Sequence, residues 1–217
     1  MTLLDDTQTR RYWNEYYKGK QGPQFPSPFA AFCQQRFPNR ECVILEIGCG
    51  NGRDSFYFSR RHDVYGIDAS SVVVEQNNLK AKRQNFMKAR FYAGDFDQVP
   101  VEGLPPFDVV YSRFALHAMP EETANLVLER AFEFLKPGGI MMLEFRTIKD
   151  PLMKQGQTVG LNERLTDHYR RFIDIQVMKR KLLSLEFSID YFVESNGLAV
   201  HGNDDPVVGR IIARKPN

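Results

Sequence analysis

Residues 43–54 read Val43-Ile44-Leu45-Glu46-Ile47-Gly48-Cys49-Gly50-Asn51-Gly52-Arg53-Asp54. A short apolar, β-branched run suits a strand buried on both faces, as parallel sheets require. Glycine at every second position after it allows a sharp turn and lets another group approach the backbone closely. The chain is thus committed early to strand, glycine turn and helix, and the following sequence keeps that alternation. Strands are expected over 42–47, 62–67, 89–93, 107–112 and 139–145, with helices over 54–61, 70–87 and 120–135. Two helices, 7–18 and 28–37, precede them, joined by a turn-rich stretch with Gly22-Pro23 and Pro26-Ser27-Pro28. This spacing implies a parallel sheet with helices on both faces. The end departs from it. Segments 187–194 and 207–214 read as strands, and the Gly/Asn/Asp-rich stretch between them is too short for a crossover helix, so they pair antiparallel. The insert 146–185 reads as a polar loop followed by an Arg/Lys-rich helix.

Composition narrows the function. With 217 residues, 42% hydrophobic and 12% aromatic, there is apolar material for a full core. The longest apolar runs, such as Ile140-Met141-Met142-Leu143, fall far short of the roughly 20 residues that span a bilayer. Lys+Arg 29 against Asp+Glu 27 gives +2, without the basic excess of a nucleic-acid binder. The start, Met1-Thr2-Leu3-Leu4-Asp5-Asp6, lacks the basic and apolar regions of a secretory signal. Cys33, Cys42 and Cys49 are an odd number with no CxxC pair, so neither a disulfide framework nor a structural zinc is expected. The expectation is a reduced, cytoplasmic protein that holds no metal.

Three strand ends carry chemistry. After the first strand, Glu46 precedes a GxGxG loop, and Arg53 at the next position breaks the dinucleotide form GxGxxG. Asp68 ends the second strand, 22 residues beyond Glu46, at the carboxyl edge where open α/β sheets bind ligands. Its carboxylate suits the two hydroxyls of a ribose; as helix N-caps, Asp68 and Ser70 are equally good. Gly94-Asp95-Phe96 follows the third strand, an acid and a ring suited to an adenine, or ordinary turn chemistry.

On these residues the sequence resembles the class I, seven-strand S-adenosylmethionine-dependent methyltransferases. The resemblance rests on Glu46-x-Gly48-x-Gly50-x-Gly52, Asp68, Gly94-Asp95-Phe96, Phe107-Asp108-Val109-Val110-Tyr111 and Leu135-Lys136-Pro137-Gly138-Gly139. It implies an α/β, Rossmann-like three-layer sandwich on a mostly parallel seven-stranded sheet with a C-terminal antiparallel hairpin. It also implies S-adenosyl-L-methionine as cofactor. Gly48, Gly50 and Gly52, with Glu46 and Cys49, would admit its methionine part. Asp68 and Ala69 would take the ribose, Asp95 and Phe96 the adenine, and Tyr111 to Phe114 would line the sulfonium side. The chain is read as one domain over 1–217: lid helices 1–38, cofactor core 39–147, substrate insert 148–185 and hairpin 186–217.

The acceptor is read from absences and from cations. No Asn/Asp-Pro-Pro-Tyr/Phe follows the fourth strand, which argues against amino methylation of adenines or glutamines. No cysteine stands where a pyrimidine-C5 nucleophile belongs. His117, a candidate base or cationic donor, and Arg113 are the expected catalytic residues. Tyr16, Arg113, His117, Arg146, His168, Arg170 and Arg171 are the expected acceptor-binding set, the arginines offering forked donors to carboxylate or phosphate. The insert and hairpin are also similar to small O-methyltransferases of phosphonate and capsule-type metabolism. The expectation is O-methylation of a small anionic metabolite. Thiol or metalloid methylation, other small-molecule methylation and RNA methylation are the alternatives. Tyr12, Trp13, Tyr16 and Tyr17 form a candidate lid, or a homodimer contact through the N-terminal region.

Overall fold

A computed structural model describes residues 6–19, 25–96 and 103–217. The expected turn at Gly22-Pro23 and the start Met1–Leu4 lie outside the described residues. Internal contacts divide the chain into two units, Met1–Pro105 and Pro106–Asn217.

In the first unit the buried run becomes β1 (Val43–Ile47), followed by α3 (Arg53–Phe58), β2 (Asp63–Asp68), α4 (Ser71–Arg83) and β3 (Ala89–Ala93), after α1 (Asp6–Lys18) and α2 (Pro28–Gln34). β1 pairs parallel with β2, and β2 parallel with β3. Cys49, Phe56, Val73, Val74, Ala81, Ala89 and Phe91 form a core cluster, with Tyr17 and Phe86 packed on it. Gly66 lets β2 approach that core, since a Cβ there would lie 2.8 Å from the Phe91 ring. Helix starts follow capping chemistry. The Ser27 hydroxyl accepts from Ala30 N–H at 3.0 Å and opens α2. Asp54 then pins that cap, accepting from the Ser27 N–H and hydroxyl at 2.7 Å each. α4 stops at Arg83 rather than near 87, because Asn85 takes a left-handed φ of 58°, a conformation that ends helices and that Asn tolerates.

The second unit contains β4 (Phe107–Arg113), α5 (Glu121–Phe134), β5 (Leu135–Arg146), β6 (Gln157–Gly160), β7 (Glu163–Leu165), β8 (Tyr169–Arg171), α6 (Ile175–Ser184), β9 (Ser188–Ser195) and β10 (Val208–Arg214). β4 and β5 pair parallel, while β10 pairs antiparallel with both β5 and β9. The seven-stranded sheet has the order β3-β2-β1-β4-β5-β10-β9, a mostly parallel sheet with a C-terminal antiparallel pair, as the sequence implies. The insert differs from its reading as loop and helix: β6, β7 and β8 make a second, antiparallel sheet before α6. Strands of three or four residues are too short for alternation to register. Among the described residues no helix is long and apolar enough to cross a membrane.

Candidate functional site

In the first unit the glycine loop turns three times through left-handed backbone, with φ of 73° at Gly48, 50° at Gly50 and 71° at Gly52. A Cβ on Gly52 would lie 2.9 Å from the Phe56 ring and 3.1 Å from the Asn77 amide; one on Gly50 would meet the Tyr17 hydroxyl at 2.7 Å. Buried Asn77 of α4 steadies the loop, donating to the Gly50 carbonyl at 2.7 Å. The N–H groups of Gly48 and Cys49 donate to the Ile67 carbonyl, at 2.8 and 3.0 Å. Loop and β2 are thereby joined through backbone alone.

Asp68 completes that join. Its carboxylate accepts from Gly50 N–H at 2.8 Å and from Ser70 N–H at 2.9 Å, one bond on each oxygen. Ser70, not Asp68, is the cap of α4; its hydroxyl accepts from Val73 N–H at 3.4 Å. A carboxylate offers about four lone-pair sites, so Asp68 keeps acceptor capacity for further donors. Burial nevertheless raises its pKa above the usual value, against the two backbone bonds that lower it. Glu46 is buried in β1 and accepts from the Ser55 hydroxyl; burial, then the neighbouring Asp54, raise its pKa well above normal. Burial likewise pushes the Cys49 thiol well up, so it is protonated and inert. Ala69 is half-buried, and Phe96 is buried beside Asp95 in sequence.

Three side chains of α1 reach these strand ends. Arg10 pairs with Asp95, Asn14 accepts from the Ser70 hydroxyl at 2.7 Å, and the Tyr17 hydroxyl lies against Gly50. Tyr16, the expected contact, is 36% exposed. Burial, then Asp68, raise the pKa of Tyr17, which therefore stays a neutral phenol. Arg10, Asn14 and Tyr17 recur at i, i+4 and i+7, one helix face, and that spacing was the available signal for them.

The second unit gathers the expected cations around β4. Tyr111 is fully buried in that strand. Arg113 at its end donates through Nε to Glu144 Oε1 at 2.8 Å, and Arg210 of β10 donates through Nε to Oε2 at 2.7 Å. One buried carboxylate thus serves two guanidinium groups. Burial raises the Glu144 pKa while both arginines pull it down. Phe114 follows with φ of 58°, a strained conformation for an aromatic residue that tends to mark functional positions. Its ring lies 4.2 Å from the Arg113 guanidinium, 5.6 Å from that of Arg146 and 5.2 Å from the His117 ring.

His117 is buried, and its Nδ1 accepts from the Arg146 backbone N–H at 3.3 Å. Burial, then Arg146, Arg170, His168 and Arg113, depress its pKa well below the usual value. The ring is therefore neutral, with its hydrogen on Nε2. The remaining cations are answered locally. Arg146 pairs with Asp150 at 2.9 Å and with Asp204. Arg170 donates to Asp167 at 2.9 Å and to Thr166. Arg171 donates to the carbonyls of Met119 and Leu116 at 3.3 and 3.4 Å, tying β8 to the turn after β4. His168 stands 3.1 Å from Asp167, with its pKa lowered to about 4 by burial, then Arg170. Sequence reading missed Glu144, Asp150, Asp204 and Arg210. Glu144 alone carried a signal: an acid inside an apolar run needs a partner.

Residues 44–139 match the family described as Methyltransferase domain. Thiopurine S-methyltransferase of Vibrio cholerae is 32% identical over 120 residues, covering 49% of this chain and 54% of that protein. Trans-aconitate 2-methyltransferase of Deinococcus radiodurans is 27% identical over 157 residues, covering 70% and 56%. The chain thus spans little more than half the length of these curated relatives. The structure of Burkholderia thailandensis 1,6-didemethyltoxoflavin-N1-methyltransferase with bound S-adenosylhomocysteine superposes with a TM-score of 0.70 at 17% identity, over 100% of this chain and 93% of that one. The chain is thus similar to methyltransferases over residues 44–139 by domain, and it shares the fold of a methyltransferase solved with S-adenosylhomocysteine.

Proposed function

We propose that the chain transfers a methyl group from S-adenosylmethionine to a small anionic acceptor. The first unit fits the cofactor. Its glycine loop presents left-handed backbone without side chains, Asp68 keeps lone pairs for ribose hydroxyls, and Asp95 and Phe96 follow the next strand, where an adenine would be received. When bound, the cofactor supplies a methyl group on a sulfonium, which leaves to a nucleophile aligned with it. This chain's residues would orient donor and acceptor and exclude water.

The observation carrying the acceptor reading is Arg113. Its Nε is held by Glu144, its side chain is only 16% exposed, and its terminal amino groups have no hydrogen-bond partner among the described residues. Arg146, Arg170 and Arg171 are more fully engaged, so the acceptor set contracts to Arg113 and His117, with Phe114 between them. S-methylation is the second reading, favoured by the curated relatives named for thiopurines. Radiolabelled methyl transfer over a panel of carboxylates, phosphonates, thiols and amines tests both. The expected result is transfer to acidic acceptors, with kcat/KM falling at least tenfold in Arg113→Met; transfer confined to amines would overturn it.

A further inference from the structure

Two side chains in the second unit, partly exposed Arg113 and buried His117, keep N–H groups that have no partner among the described residues, while the neighbouring carboxylates are already paired with arginines. Arg113 is fixed at Nε and leaves both terminal amino groups unengaged. His117 is fixed at Nδ1 by a main-chain N–H, which places its hydrogen on Nε2, and that atom too has no hydrogen-bond partner among the described residues. Both side chains contact the Phe114 ring, whose left-handed backbone sets the turn between them. Besides burial, the charged and titratable groups that depress the His117 pKa are Arg146 from β5, Arg170 from β8, His168 just before it and Arg113 from β4, and the carboxylates beside them, Asp150 and Asp204, are held by Arg146. The arginines and His168 each disfavour a proton arriving on the ring. Glu144 lies between two arginines, and Asp167 between Arg170 and His168.

We infer that Arg113 and His117 form a donor-only receptor for an acceptor whose nucleophilic atom is already ionised, and that His117 orients this atom without removing a proton. The inference rests on the methyltransferase reading above and narrows its substrate class to acidic groups: carboxylates, phosphonate-type oxyanions and acidic thiols. The proton count supports it. Methylating a hydroxyl or amine forms a bond to carbon and breaks a bond to hydrogen, so one proton leaves per turnover and needs a receiver. Methylating an anion forms the same bond while the sulfonium becomes a neutral thioether, the two charges cancel, and no proton is released. A site offering only N–H groups suits the second case.

The test begins with the full chain and no cofactor. Calorimetric titration compares benzoate with benzamide, an uncharged isostere. Benzoate is expected to bind about tenfold or more tightly at pH 7, the scale of a charge-assisted hydrogen bond lost. Equal binding, or no binding of either, would overturn the inference, and this arm needs no variant. His117→Gln keeps an N–H donor but cannot act as a base, so it should hold benzoate within about threefold, whereas His117→Ala loses about tenfold. Glutamine and alanine losing equally would count against an orienting role. A second arm counts protons by indicator dye during methyl transfer. No proton per methyl group is expected; methylation of neutral alcohols or amines with one proton released would sink the inference and leave the methyltransferase reading intact. Failure to bind S-adenosylmethionine would instead remove that reading.

Discussion

Asp68 and Glu144 are both carboxylates near the carboxyl ends of strands, yet they are held by different means. Asp68 is held by main chain, one N–H from the glycine loop and one from the start of α4. Glu144 is held by two guanidinium groups, 31 and 66 residues away along the chain. A backbone cradle is set by local turns and leaves lone pairs for a ligand. A paired-charge cradle is set by tertiary folding and uses its carboxylate on internal partners. Loss of one partner from the buried pair therefore threatens the fold, whereas loss of an acid from the cradle threatens binding.

The sharpest way to break this contrast is Glu144→Ala. It removes the buried carboxylate shared by Arg113 and Arg210 and should cost about 3–5 kcal/mol in urea unfolding; a loss under about 1 kcal/mol would mean that the arginines are held well enough by other groups. Gly52→Ala follows. Its Cβ meets Phe56 and Asn77 at a left-handed φ, and about 1–3 kcal/mol of stability should go, together with measurable cofactor affinity. Asp68→Asn keeps a carbonyl acceptor for only one of the two N–H bonds. Affinity for S-adenosylhomocysteine should fall about tenfold, close to 1.4 kcal/mol, with little change in unfolding midpoint; the opposite pattern would erase the contrast. The most gradual effect is in pH. The folded pKa of His168, about 4, lies below its ordinary 6.5, so the unfolded chain takes up a proton first. Stability should fall as pH drops from about 6.5 to about 4, by up to about 1.4 kcal/mol per unit, and His168→Gln should flatten that slope.

The same contrast explains what could be read from sequence. The strand before the loop, its glycines and the acids ending β2 and β3 are local signals, visible within a few residues, and the alternating order of strands and helices follows from them. The pairings of Arg113 and Arg210 with Glu144, and of Arg146 with Asp204, are decided by chain segments dozens of residues apart, and nothing at either end announces the other. Arg170 and Arg171 read as neighbours with one purpose, but strand alternation sends them apart, one to Asp167 and one to the carbonyls after β4. In the N-terminal helix, aromatic spacing drew the reading to Tyr16, while Arg10, Asn14 and Tyr17 share the face that meets the strand ends.

β10 has a consequence for how the protein comes into being. It is made after every other described strand, yet it lies between β5 and β9, and it brings Arg210 to Glu144. Since chains leave the ribosome amino end first, the glycine loop can take shape early, while the cation cluster stays incomplete until residues 208–214 emerge. β9 waits, edge unpaired, for the segment that follows it. Assembly is thus ordered in time, with the glycine loop first and the arginine cluster around Glu144 last, so a truncated product lacks the strand that would finish it.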